Sequence, residues 1–195
     1  MRYDTEHKQR THEKIVREAA KAIRQQGPDK VGIASLMARL GLTQGGFYAH
    51  FKSKNMLVAE AITHIFDERY EAFQNFLNDV DPAEGLARYI DYYLSTQHRD
   101  RRDKGCPMVA LNSDLTRMPA VAKKRFEAGM QRITESLADI MKKLNKPQPH
   151  ALATSILSEM VGAMAIARSV SNTNLSEQIL ETARASIKER VGLNT

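Results

Sequence analysis

Ile33-Ala34-Ser35-Leu36-Met37-Ala38-Arg39-Leu40-Gly41-Leu42-Thr43-Gln44-Gly45-Gly46-Phe47-Tyr48-Ala49-His50-Phe51-Lys52-Ser53-Lys54 is the stretch on which the reading of this chain turns. Ile33, Leu36, Met37 and Leu40 recur at i, i+3, i+4 and i+7, the spacing of one buried helix face. Gly41 then offers a residue that enters the left-handed region without steric cost and closes that helix. Thr43 can cap a second short helix over residues 44–50, and Ser53 a long third one reaching about residue 79. Two short helices joined by Gly41-Leu42-Thr43 have the form of a helix-turn-helix. In that unit the second helix enters a DNA major groove and reads base edges near its N-terminus. A plain helical hairpin with a solvated polar face shares the same spacing.

The second helix is oddly composed. Gly45 and Gly46 each cost about 1 kcal/mol against alanine in a helix. Close approach of the backbone to another surface, such as a phosphate chain, is one reason to accept that loss. Phe47 and Phe51 can point into a core, which turns Tyr48 outward with its hydroxyl free for a phosphate. Lys52, Ser53 and Lys54 stand where the next helix begins, and free N–H groups and the helix dipole favour an anion there.

Charge is distributed to match. The chain has 195 residues, 29 basic and 23 acidic, for a net charge of +6. Residues 1–55 hold 11 Lys/Arg and 5 Asp/Glu, and residues 56–195 hold 18 of each, so the whole excess lies in the first quarter. A concentrated basic excess suits a polyanionic partner, and equally a solvated basic face. An anionic membrane surface requires bulky apolar residues opposite the charges. Residues 5–26 offer only Ile15, Ala19, Ala22 and Ile23, a stripe suited to packing against helices.

Beyond this stretch the helical grammar continues, with Gly and Pro gathered at breaks. A first helix spans residues 5–26 and stops at Gly27-Pro28. Asp81-Pro82-Ala83-Glu84 reads as a capping box opening a helix to about Gln97. A charged loop over residues 98–105 follows. Pro107 and Pro119 open further helices, the second ending near Leu144. A helix from about Pro149 to Val170 comes next, and Asn174-Leu175-Ser176-Glu177 reads as a capping box for the last, which ends near Arg190. The expectation is an all-α chain of about nine helices: an N-terminal three-helix domain over residues 1–55 and a helical second domain over residues 56–195.

Ile33-Ala34-x-Leu36-Met37-x-x-x-Gly41-Leu42-Thr43-x-Gly45-Gly46-Phe47-Tyr48-x-His50-Phe51-x-Ser53-Lys54 strongly resembles the DNA-binding domain of the TetR family of transcriptional regulators, over about residues 8–60. Gly105-Cys106-Pro107, residues 111–115, Val161-Gly162-Ala163 and Leu175-Ser176-x-x-Ile179-Leu180 extend a looser likeness along the chain. The resemblance implies an all-helical homodimer that binds a palindromic double-stranded DNA operator, usually a repressor released by a small-molecule ligand, and a cytoplasmic location is expected because no signal or membrane-spanning segment is read. It places Thr43, Gln44, Gly45, Gly46, Tyr48 and His50 on the recognition helix, with Lys52 and Lys54 at a phosphate-contacting helix start. Gln44 is the best base reader, since an amide can bond adenine bidentately. Ala34 stands where many members carry a polar or basic contact, and Gly32 replaces the usual Ser/Thr cap.

The resemblance makes residues 56–195 the ligand-binding and dimerisation domain, with the last two long helices as dimer contact. Gly162, Ala163, Ala165 and Ala167 allow close helix approach there, or tight packing within one chain. Tyr89, Tyr92, Tyr93, Met108, Met130, Met160 and Met164 suit an adaptable, mostly apolar pocket and equally a plain core. Cys106 starts a helix near Arg101, Arg102 and Lys104, an environment that raises thiolate character. It is a candidate sensor of electrophiles or oxidants, or a small packing residue.

Several classes find no support. The single cysteine excludes a disulfide framework and a multi-cysteine metal site. No Gly-x-Ser-x-Gly or phosphate loop occurs, and His7, His12, His50, His64, His98 and His150 form no His-x-x-x-His pair. No catalytic residue, metal or cofactor is expected, and an enzyme or carrier built on an apolar cavity is the remote alternative. The basic start is followed by no apolar signal segment, and no stretch is expected to reach the roughly 18 apolar residues of a membrane span.

Overall fold

The computed structural model describes residues 2–193, and among them every regular element is a helix. Nine α-helices follow one another: α1 Arg2–Gln26, α2 Ile33–Arg39, α3 Lys54–Gln74, α4 Pro82–Tyr93, α5 Thr96–Asp100, α6 Pro107–Leu115, α7 Ala120–Lys143, α8 Pro149–Ser169 and α9 Thr173–Val191. Two 3₁₀ turns, Gly45–Ala49 and Arg102–Lys104, complete them.

Local chemistry sets the breaks. Gly27 and Gly41 take φ of +83° and +68°, the left-handed region that glycine enters without steric cost. The Ser53 hydroxyl accepts from the Met56 N–H at 3.3 Å and opens α3. Asp81 accepts from the Ala83 and Glu84 N–H groups and opens α4 with Pro82 at its first position. The reciprocal half of that capping box is not made, because the Glu84 carboxylate pairs with Arg88 instead. α7 is the long helix after Pro119, which serves as its N-cap.

Four expectations need correction. The segment over residues 44–50 is a 3₁₀ turn, not an α-helix, as two adjacent glycines give little support to regular helix. α3 ends at Gln74, not residue 79, where the chain turns and Asp79 takes a positive φ. The loop expected over residues 98–105 holds the end of α5, because Ser95 accepts from the His98 N–H at 3.1 Å and starts a new helix where α4 stops. The cap of α9 is Asn172, whose side chain accepts from Leu175 N–H at 3.0 Å, and Asn174 lies inside the helix.

α1 lies along α3, α3 along α7, α7 along α8, and α8 along α9. The stripe Ile15, Ala19, Ala22 and Ile23 is fully buried against α3 and the two short elements. α8 is long and apolar enough to pass for a membrane span, contrary to the sequence expectation. Its apolar residues Ile156, Met160 and Met164 are instead fully buried among the neighbouring helices.

Candidate nucleic-acid interface and regulatory core

The turn that follows α2 is built around two phenylalanines. Phe47 and Phe51 are buried and stacked, 5.4 Å between centroids, and His12 of α1 stacks on Phe51 at 4.4 Å. Thr43 accepts from the Gly46 N–H at 3.2 Å, and Phe47 N–H bonds the Gln44 carbonyl. With Phe47 and Phe51 turned inward, Thr43, Gln44, Gly45 and Tyr48 face outward, Tyr48 with 64% of its surface exposed. A Cβ on Gly45 would meet nothing within 4 Å, and its φ is not in the left-handed region. Nothing within the chain therefore requires glycine at this position.

The other expected contacts differ in availability. Lys52 is exposed. Lys54 is half-buried and donates to the Asp29 carbonyl at 2.9 Å, bracing the α1–α2 loop. His50 is half-buried beside His12, its Nδ1 without a partner, and burial followed by His12 and Lys8 holds its pKa below the usual histidine value. Gly32 gives α2 no side-chain cap, and the Ser35 hydroxyl donates back to its carbonyl at 3.1 Å.

The eight residues expected to line one ligand pocket do not converge. Tyr89, Tyr93, Cys106, Met160 and Met164 are buried in the core. Tyr92 borders a cleft of about 600 Å³ between α1 and α3. Met108 and Met130 border a separate groove of about 690 Å³ with Phe126 and Leu157. Cys106 is 2% exposed, with the Tyr93 phenol beside it, and Lys104 gives its carbonyl to Arg69. A buried thiol is poorly placed to meet a reagent, and the thiol-sensor alternative is not favoured.

Sequence reading missed the polar groups that organise this region. Three arginines from three helices hold the carbonyls of residues 98–104. Arg24 of α1 donates to Asp103 O at 3.2 Å and pairs with Glu68. Arg69 of α3 is 7% exposed and donates to Lys104 O at 3.1 Å. Arg168 of α8 donates to Arg99 O at 3.0 Å and His98 O at 2.9 Å. His98 is buried and its Nδ1–H donates to Tyr93 O at 2.8 Å. Burial pushes its pKa down to about 4, aided by Arg69 and Arg168, so the ring is neutral at pH 7. Among the described residues no group of three or more His, Cys, Asp or Glu is placed to hold a metal ion.

Residues 15–61 match the family model of bacterial regulatory proteins, tetR family. A curated relative, the uncharacterized HTH-type transcriptional regulator YvdT of Bacillus subtilis, is 36% identical over 92 residues. That match covers 46% of this chain and spans about half the length of the relative, 47%. Solved structures share the fold over nearly the whole chain. A TetR-family regulator from Agrobacterium tumefaciens has a TM-score of 0.79 at 19% identity, covering 94% of this chain and 98% of its own. The reduced form of E. coli NemR scores 0.81 at 17% identity, covering 92% and 95%. A TetR regulator from Chloroflexus aurantiacus scores 0.81 at 23%, covering 98% and 97%. The helix-turn-helix segment thus matches the tetR-family model over residues 15–61, and the helical frame is shared from end to end with solved TetR-family structures.

Proposed function

We propose that the protein is a sequence-specific DNA-binding transcriptional regulator, a cytoplasmic repressor released by a small-molecule ligand. Gly45 carries this reading. It is exposed, unstrained and bordered by empty space, so its missing side chain is explained by a surface that approaches from outside. Thr43, Gln44, Gly46, Tyr48 and His50 lie on the same short stretch, and Lys52 and Lys54 follow it. Gln44 is assigned to a base edge and Tyr48 to a phosphate. Residues 1–55 read DNA and residues 56–195 respond to ligand, with α3 beginning in the first unit and continuing into the second.

A homodimer through α8 and α9 supports a palindromic operator, since two-fold protein symmetry is mirrored in the half-sites. Ile166 on α8 and Leu175 on α9 are exposed apolar side chains, 55% and 45%, and Ser155, Ser158 and Ser169 are exposed on α8. Such a face permits close helix approach. A ligand that prefers the form with wrongly spaced reading heads shifts the equilibrium by its differential affinity alone.

The test is a titration against labelled DNA from upstream of the protein's own gene, at about 150 mM salt with scrambled competitor. Binding that survives competitor, and that Gly45→Val abolishes without lowering the melting temperature, is the expected result. Weak binding erased equally by competitor, with Gly45→Val matching the parent, overturns the reading.

A further inference from the structure

Among the buried side-chain atoms of the described residues that lack a hydrogen-bond partner are Arg69 Nη2, the Tyr93 hydroxyl and His98 Nε2. Their residues come from α3, α4 and α5 and are 7%, 1% and 1% exposed. They also lie together. The Tyr93 and His98 rings are 4.8 Å apart between centroids, Tyr92 stacks on His98 at 5.4 Å, and the Arg69 guanidinium stands 5.9 Å from the Tyr92 ring centre. Buried polar atoms without partners are few in folded chains, and an uncompensated cation costs the most. The groups beside Arg69 are the Tyr89 and Tyr92 phenols, both within its hydrogen-bonding reach, and the Cys106 thiol, with no carboxylate among them.

The unmet capacities define a complement. Arg69 needs an acceptor, with an anion the strongest. The Tyr93 hydroxyl can donate to the same anion. His98 already donates through Nδ1, so its Nε2 presents a lone pair and needs a donor. The surrounding Tyr89, Tyr92 and Tyr93 rings favour a flat aromatic body. The cleft of about 600 Å³ between α1 and α3 reaches the cluster at Arg69 and Tyr92, which stand in its wall, whereas Tyr93 and His98 are buried and do not line it.

We infer that this cluster is an effector subsite for a small hydroxylated aryl carboxylate. The carboxylate engages Arg69 Nη2 and the Tyr93 hydroxyl, and the ligand hydroxyl donates to His98 Nε2. The assignment rests on the ligand-responsive reading above and adds the chemical class of the ligand. It also supplies a route to the DNA-reading unit. Arg69 holds the Lys104 carbonyl, and Arg24 of α1 holds the neighbouring Asp103 carbonyl. A ligand that draws on Arg69 therefore acts on the turn to which α1 is tied.

The experiment is calorimetric titration of the full chain, without DNA, with the three hydroxybenzoates. The matching hydroxybenzamides remove the charge, and benzoate removes the hydroxyl. At least one hydroxybenzoate is expected to bind, with its amide and benzoate each about tenfold weaker or more. Tyr93→Phe is the decisive variant, because it removes only the hydroxyl, whose neighbour in the folded chain is the weakly bonding Cys106 thiol. It should melt with the parent and bind the hydroxybenzoate about tenfold more weakly, while Arg69→Met should abolish binding. Failure of all three acids to bind, equal binding of acid and amide, or unchanged affinity in Tyr93→Phe overturns the subsite. The upstream-DNA titration is read separately. Hydroxybenzoate binding without DNA binding sinks the regulator reading and leaves the subsite standing. DNA binding with no preference for the acids does the reverse.

Discussion

Gly129 in α7 lies directly against the Phe66 ring of α3, so close that a Cβ would stand 2.2 Å from the ring's Cγ. Phe66 in turn meets Phe126 edge-on, with centroids 5.3 Å apart. This contact sits where α3 packs along α7. Gly129→Ala gains about 1 kcal/mol of helix propensity yet forces the ring out of its place. Overpacking of this kind typically costs about 1–3 kcal/mol, so the net effect is destabilising. Urea denaturation should show the loss, and adding Phe66→Leu should recover part of it. A stabilised Gly129→Ala would contradict the packing.

Gly129 also shows what the sequence withholds. A glycine amid Glu127, Ala128 and Met130 reads as a weak point in a helix, because its partner Phe66 is 63 positions away. Short-range chemistry was legible: the stripe of Ile15, Ala19, Ala22 and Ile23, the Gly41 stop, the Ser53 and Asp81 caps, and the outward Tyr48 all follow from neighbours within a few residues. The 3₁₀ form of residues 45–49 was not, since a helical period over five residues does not distinguish the two helix types. Nor was the Arg24–Arg69–Arg168 clamp, because an arginine that seeks carbonyls carries no local mark. The dispersal of the tyrosines and methionines has the same cause. Helical spacing sets the face of one helix and leaves open which of two clefts, or the core, that face meets.

Tyr48 and Gln44 should separate when each is changed. If the Tyr48 hydroxyl meets a phosphate, Tyr48→Phe weakens binding to every sequence alike and lowers the salt dependence little, since the group is uncharged. Gln44→Ala should cost about 1–3 kcal/mol on the preferred operator and relax discrimination at one base pair per half-site. Competition binding against single-base operator variants reads both. Unchanged affinity in both variants would remove residues 44–48 from the interface.

Arg24 ties α1 to the turn at residues 102–104. Its side chain is 7% exposed, pairs with Glu68 and donates to Asp103 O. Arg24→Met keeps the stem and removes the donors, leaving the Asp103 carbonyl without this donor and the Glu68 carboxylate with His64 as its remaining partner. A stability loss of about 1–3 kcal/mol is expected. Hydrogen exchange should also accelerate at residues 102–104 while α9 stays protected. Equal exchange in both proteins would mean that the turn is held by its other contacts alone.

His98 makes stability depend on pH in a defined window. Its pKa falls from 6.5 to about 4 on folding, chiefly through burial. Between those values the unfolded chain binds a proton that the native chain refuses, so stability rises with pH there and is lost as pH falls below 6.5. From pH 7 to pH 5 the loss from this one ring is about 2 kcal/mol. His98→Asn keeps a side-chain N–H that can donate to Tyr93 O and cannot titrate. The variant should therefore lose about 2 kcal/mol less than the parent across the same interval, read by urea denaturation at both pH values. His50, whose pKa is also lowered, contributes equally to both proteins and cancels in the comparison. Parallel losses in parent and variant would show that His98 takes up its proton within the folded core.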